Sequence, residues 1–189
     1  MQNNNTYVYI GRFQIPHLGH EAVIEHAMKN CSTLIVLIGS ANVARNSKNP
    51  FNYEERKEML LGITEKMNQK LNTQVNIIIL PLDDFNSDKL WTAEVTRLVS
   101  SYALNNVFIT GCRKSGDEST FYLNLFPHWK ADFIEEVNFT GIDVISSTKI
   151  RELFFKNLPI PAVISTETQR FLDSFKANKN DLYHQLSAV

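Results

Sequence analysis

The sequence predicts an α/β fold, a doubly wound parallel sheet with helices on both faces. Three observations carry this expectation. Short apolar runs alternate with helical patterns along most of the chain. Two of the runs, TLIVLI at Thr33–Ile38 and VNIIIL at Val75–Leu80, are apolar almost throughout, as strands covered on both faces are. Strands and helices in alternation close into a parallel sheet through right-handed crossovers.

The elements follow in order. A first strand at Tyr7–Ile10 stops at Gly11, and a helix follows over Gly19–Lys29. Thr33–Ile38 is the second strand and Tyr53–Gln69 the second helix, with a polar loop at Ser40–Asn52 between them. Val75–Leu80, then a helix over Lys89–Leu104, then Asn106–Thr110 give the third strand, third helix and fourth strand. A second polar loop, Gly111–Thr120, precedes a fifth strand at Phe133–Val137. Helices are expected over Thr148–Lys156 and from about Thr166 to Lys176, with a polar, fraying tail beyond. In such a sheet ligands bind beyond the carboxyl ends of the strands. Gly11, Gly39-Ser40 and Gly111 all fall at that edge.

The 189 residues suit one domain with its own core, and the 43 % apolar and 21 % charged fractions are those of an ordinary globular chain. The net charge of −1 gives no basic field for a nucleic acid or an anionic membrane, so anion binding has to be local. Cys31 and Cys112 have no metal-ligand or disulfide spacing and read as reduced thiols. No leader pattern opens the chain, and no apolar run approaches the roughly 18 residues of a membrane span. A cytoplasmic protein is expected.

The stretch YIGRFQIPHLGH, Tyr9–His20, holds the densest chemistry. A helix N-terminus presents unpaired N–H groups and the positive end of its dipole, which suits phosphate. Gly11 and Gly19 allow a sharp turn and a close approach. His17 and His20, three apart, can aim at one anion from the first turn, and Arg12 adds a forked donor. The same residues could equally be capping or surface groups, and a zinc site lacks further ligands nearby. A second stretch, ISSTKIR at Ile145–Arg151, opens another helix: Ser146, Ser147 and Thr148 offer hydroxyls and N–H groups, with Arg151 one turn in. By itself it is also compatible with a plain N-cap serine. Both constellations on one α/β chain point to a polyphosphate cradle.

GRFQIPHLGH together with ISSTKIR resembles the nucleotidyltransferase superfamily, with its H-x-G-H motif and a C-terminal S-x-x-x-R-like motif. The likeness is closest to the nicotinamide mononucleotide adenylyltransferases of archaeal type, including the adenylyltransferase half of bifunctional enzymes with a Nudix hydrolase domain. Gly39–Arg56 resembles the family's glycine-serine, N-P-F and E-R segment. DDFNSDKLW at Asp83–Trp91 and DESTFYLNLFPHW at Asp117–Trp129 resemble two further blocks. The resemblance implies a Rossmann-like, five-stranded sheet in the order 3-2-1-4-5. It covers a core of about residues 6–155, with a C-terminal helical extension of about 156–189. No Nudix signature occurs, so one nucleotidyltransferase domain over 1–189 is expected.

The resemblance also implies a reaction. ATP and nicotinamide mononucleotide (NMN) give NAD and pyrophosphate by in-line attack of the NMN 5′-phosphate on the α-phosphorus, with Mg²⁺ arriving on the ATP phosphates. His17, His20, Arg12 and Arg151 are the implied catalytic residues. Gly11, Phe13, Gly19, Lys48, Gly111, Ser146, Ser147 and Thr148 are implied around ATP and its phosphates. Trp91 would stack on the nicotinamide ring, with Asp84 and Ser40 beside the mononucleotide. Glu55 and Arg56 are expected to pair and hold the Ser40–Asn52 loop. A homo-oligomer is implied, and no nucleic acid or membrane partner. The chain departs from the pattern at Ile15, which stands where the family usually has proline, with Pro16 next. It departs again at GCRKSGD, where Cys112 replaces a histidine and Ser115 and Gly116 separate Lys114 from Asp117. The alternatives are a sibling enzyme using another phosphate substrate (nicotinate mononucleotide, a phosphorylated pantetheine or an alcohol phosphate), or a silent nucleotide sensor.

Overall fold

The computed structural model describes residues 4–113, 125–135 and 146–187. Strand β1 (Thr6–Gly11) leads into helix α1 (Leu18–Asn30), then β2 (Thr33–Ile38), α2 (Tyr53–Leu71), β3 (Asn76–Pro81) and α3 (Asp88–Ser100). Strands β4 (Val107–Arg113) and β5 (Lys130–Glu135) follow, then α4 (Ser147–Phe155), α5 (Thr166–Asn178) and α6 (Asn180–Ser187). The strands form one five-stranded sheet in the order β3-β2-β1-β4-β5, the expected one, and every neighbouring pair is parallel.

Alternation along the strands sorts the core into two faces. Tyr7, Tyr9, Leu34 and Val36 pack against Val23, Ile24 and Ala27 of α1 and Leu60 and Ile63 of α2. Val8, Ile10, Ile35 and Leu37 point the other way, against Val95 and Val99 of α3. A third cluster lies outside the sheet. Ile15 and Phe51 from the loops meet Phe154 of α4, Leu172 and Phe175 of α5, and Tyr183 and Leu186 of α6. This cluster fastens the C-terminal helices to the loops at the carboxyl edge of the sheet.

Several boundaries differ from the sequence reading. Residues 180–187 of the tail form helix α6, which buries Tyr183 and Leu186, and the Tyr183 hydroxyl donates to the Phe154 carbonyl at 2.7 Å. Its apolar face consists of only a few residues at helical spacing among polar ones, which composition alone hides. The third helix ends at Ser100 rather than Leu104. Strand β5 starts three residues earlier, at Lys130, whose ammonium lies over the Phe108 ring. The altered loop from Lys114 through Ser115 and Gly116 to Asp117, residues 118–124 of the following block, and positions 136–145 lie outside the described residues.

Candidate active site

The parallel strands bring Gly11, Ile38, Pro81 and Arg113 to one edge of the sheet, and the candidate residues gather there. The centre is the strap between β1 and α1, residues 12–17. Two non-glycine residues of the strap have left-handed backbone angles, Phe13 at φ 49° and Ile15 at φ 76°. For a β-branched residue this is a true outlier, costing on the order of 1–3 kcal/mol. A proline could not hold the angle of Ile15, because its ring fixes φ near −65°.

His17 and His20 form a reciprocal cap on α1. The Gly19 N–H donates to His17 Nδ1 at 3.1 Å, and the His17 N–H donates to His20 Nδ1 at 3.2 Å. The ring centroids are 3.9 Å apart. With both Nδ1 atoms accepting, the proton of each neutral imidazole sits on Nε2. The cap therefore also fixes the tautomer and aims an Nε2–H donor from each ring. Gly19 leaves room for this cap: a Cβ there would lie 3.0 Å from the His17 ring and would press on it. At Gly11 a Cβ would meet the Phe13 ring at 2.8 Å. The side chain of Phe13 is fully buried, in an edge contact with Tyr9 and 5.1 Å from the His20 ring, so what it can offer a nucleotide is main chain.

Arg151 and Ser147 dock on the same strap. The Ser147 hydroxyl donates to the Ile15 carbonyl at 3.0 Å. Arg151 donates to the Gln14 carbonyl at 3.0 Å and to the Thr148 hydroxyl at 3.1 Å. Ser146 caps α4, accepting from the Lys149 N–H at 3.2 Å. Burial, and then the neighbouring Arg12 charge, hold the Arg151 pKa below its ordinary value. Arg12 itself is exposed at the edge, and its carbonyl accepts from Arg56 at 2.8 Å.

Arg56 does not pair with Glu55 as expected. It is 1 % exposed and donates to the main-chain carbonyls of Arg12, Gly39, Ser40 and Asn52, so it ties the ends of β1 and β2 to the start of α2. Burial pushes its pKa down to about 10, against the pull of Asp84. Glu55 instead takes Arg45 through both of its oxygens, at 2.5 and 2.9 Å, and also Lys179 at the end of α5. The loop is thus held as the sequence suggested, but by different partners. Arg12 thus lies close enough at this edge to lower the pKa of both Arg56 and Arg151, a repulsion that a bound anion would offset.

The remaining sites are less tightly gathered. Ser40, at φ 51°, donates to Asp84 at 3.1 Å, and Asn42 accepts from the Asp84 N–H at 3.0 Å, so the ends of β2 and β3 are joined there. Trp91 is half-buried in the apolar cluster of the α3 face, with its ring 6.1 Å from Phe126. Lys48 stands exposed on the Ser40–Asn52 loop, its N–H on Asn46, and is not brought against the histidine pair among the described residues. Gly111 lies within β4, paired with Phe133. Among the described residues no group of three or more His, Cys, Asp or Glu could hold a metal ion, and no helix is long and apolar enough to cross a membrane.

Sequence reasoning passed over Gln14, Arg45, Asn42 and Lys179. Their partners are main-chain atoms or residues distant in sequence, which no local motif reveals.

Comparison with known proteins agrees with this geometry. The chain is 32 % identical to the nicotinamide/nicotinic acid mononucleotide adenylyltransferase of Acinetobacter baylyi, over 95 % of this chain and 89 % of that one. It is 27 % identical to the nicotinamide-nucleotide adenylyltransferase of Thermococcus kodakarensis, over 89 % of this chain and 82 % of that one. A crystal structure of a bifunctional NMN adenylyltransferase/ADP ribose pyrophosphatase from Francisella tularensis, complexed with AMP and a manganese ion, superposes with a TM-score of 0.78 at 28 % identity. It covers 98 % of this chain, while this chain spans 52 % of that one. The cytidylyltransferase-like family model matches residues 8–153, and the chain belongs to that family.

Proposed function

We propose that the chain is a nicotinamide-mononucleotide adenylyltransferase, converting ATP and NMN to NAD and pyrophosphate. The observation that carries this is the strap: it holds the His17–His20 pair and receives Arg151 and Ser147 from α4, so donors from two helix starts meet at one sheet edge. The names of the relatives supply the acceptor.

The chemistry needs little beyond such donors. The NMN phosphate is ionised at neutral pH, so no general base has to generate the nucleophile. Its oxygen forms a bond to the α-phosphorus as the bond to the bridging oxygen of the β-phosphate breaks, and pyrophosphate leaves with the electron pair. Negative charge grows on the α-phosphoryl oxygens and the leaving group. The Nε2–H donors of His17 and His20 and the guanidiniums of Arg12 and Arg151 meet that charge. Mg²⁺ enters as part of the MgATP substrate.

The test is a panel of phosphate acceptors with MgATP, read by mass analysis of the products. NMN should give NAD. Nicotinate mononucleotide belongs in the panel because the name of the Acinetobacter relative covers both acceptors. An adenylylated product from phosphopantetheine or an alcohol phosphate, with no NAD from NMN, would move the chain to a sibling activity.

A further inference from the structure

We infer that Gln14 is a positioning residue of the transfer, holding the strap in its strained shape so that the histidine pair and Arg151 face the same phosphates. This rests on the adenylyltransferase reading. Gln14 is 2 % exposed and lies between the two left-handed residues, Phe13 and Ile15. Its side-chain amide pairs with the main chain of Phe51 in both directions: Nε2 donates to the Phe51 carbonyl at 2.9 Å, and Oε1 accepts from the Phe51 N–H at 3.1 Å. Its own carbonyl accepts from Arg151 at 3.0 Å.

One residue thus locks three segments: the strap, the loop that carries Lys48, and helix α4. Phe51 is itself anchored in the aromatic cluster of the C-terminal helices, 5.0 Å from Phe175 and 6.3 Å from Phe154, so the amide grips a fixed point. A strap with two unfavourable φ angles relaxes when its grip is lost. Relaxation would move the Gln14 carbonyl, and with it Arg151, and would tilt the start of α1 that carries His17. Gln14 touches no reacting atom in this account. It acts through Arg151 and the histidines.

The experiment compares wild type with Gln14→Ala and Gln14→Glu, at a temperature where circular dichroism shows all three folded. Displacing catalytic groups by about 1 Å costs on the order of 100-fold. Gln14→Ala should therefore lower kcat about 10- to 100-fold, while KM for ATP moves only a few-fold. A neutral glutamic acid can donate and accept towards Phe51 as glutamine does, but a carboxylate cannot donate. The activity of Gln14→Glu relative to wild type should therefore climb as the pH falls. A substrate-free readout accompanies the kinetics. The guanidinium ¹⁵N–¹H signals of Arg151 should shift in Gln14→Ala. Unmoved Arg151 signals, or an unchanged kcat with only a lower melting temperature, would overturn the inference. A wild type that makes no NAD while its Arg151 signals respond to Gln14→Ala would overturn the functional reading and leave the positioning role supported.

Discussion

The two halves of the sheet's carboxyl edge are built differently. On the β1–α4 side Gln14, Arg56 and Arg151 are buried and held by several hydrogen bonds each, with Arg12 exposed beside them. Arg56 donates to four carbonyls, Gln14 grips Phe51 twice, and Arg151 and Ser147 close on the strap. On the β2–β3 side the joint is a short knot of Ser40, Asn42 and Asp84, with Asp84 and Asn42 exposed, beside a half-buried Trp91. The difference follows the chemistry each side would serve. Stabilising charge in a reaction requires donors that are fixed in advance, because reorienting them during the reaction costs free energy. Holding an aromatic base needs mainly a flat face and tolerates looser surroundings. Acceptor choice can then vary without disturbing the phosphate machinery.

Substitutions on each side test this division. The largest effect should come from His20→Ala, which on the proposed reading removes a donor to the charge that develops in the transfer. Turnover should fall about 10²–10³-fold with the fold intact by circular dichroism. Near-normal turnover would reduce the pair to a helix cap. Arg151→Lys comes next. Lysine keeps the charge but cannot reach Gln14, Thr148 and a phosphate with one planar fork. A hydrogen bond to a charged group is worth about 1.5–3 kcal/mol, so kcat/KM should drop roughly 10- to 150-fold. A lysine variant with wild-type kcat/KM would show that charge alone matters on the rigid side.

On the looser side, Trp91→Ala should raise KM for NMN by a few-fold to about thirtyfold and leave KM for ATP nearly unchanged, as expected for an interaction of about 0.5–2 kcal/mol. The opposing outcome is specific. A purely core tryptophan would cost about 3–5 kcal/mol of stability on truncation and leave both constants alone. A thermal melt run beside the kinetics separates the two.

The smallest effect concerns Glu55 on the rigid side. Burial raises its pKa, but the hydrogen bonds from Arg45, Lys179 and the Asn52 N–H outweigh burial and hold the carboxyl below its usual range. A depressed folded-state pKa gives stability that is present above the unfolded value, about 4.3, and is lost as the pH falls through the folded one. The melting temperature of wild type should therefore decline on acidification below about pH 5 more steeply than that of Glu55→Gln. Parallel curves would remove the carboxylate from the account of how the loop is held.

Periodicity and motif spacing made much of this legible. Strand runs such as TLIVLI are unambiguous, because a strand buried on both faces has no polar position to confuse it. The histidines and Arg151 announced themselves by lying at helix starts. What was not legible depended on long-range partners. Nothing local distinguishes Gln14 from any glutamine, and only the fold reveals that its amide meets Phe51. Arg56 and Glu55 are neighbours with opposite charges, which suggested a pair. Side chains of adjacent helical residues diverge, so each found its partner elsewhere. Tyr183 and Leu186 sit in a polar tail, and only the aromatic cluster of α4 and α5 explains why the chain folds back there.

On the proposed function the reaction is a single displacement at phosphorus, driven by fixed donors and needing no covalent enzyme intermediate. The stereochemical course tests this most directly, using ATP made chiral at the α-phosphorus with sulfur and NMN as acceptor. One in-line displacement inverts the configuration, and inversion in the NAD analogue is the expected result. Retention would require two successive displacements through an adenylylated side chain, and would contradict the assignment of His17, His20 and Arg151 as donors to a direct transfer.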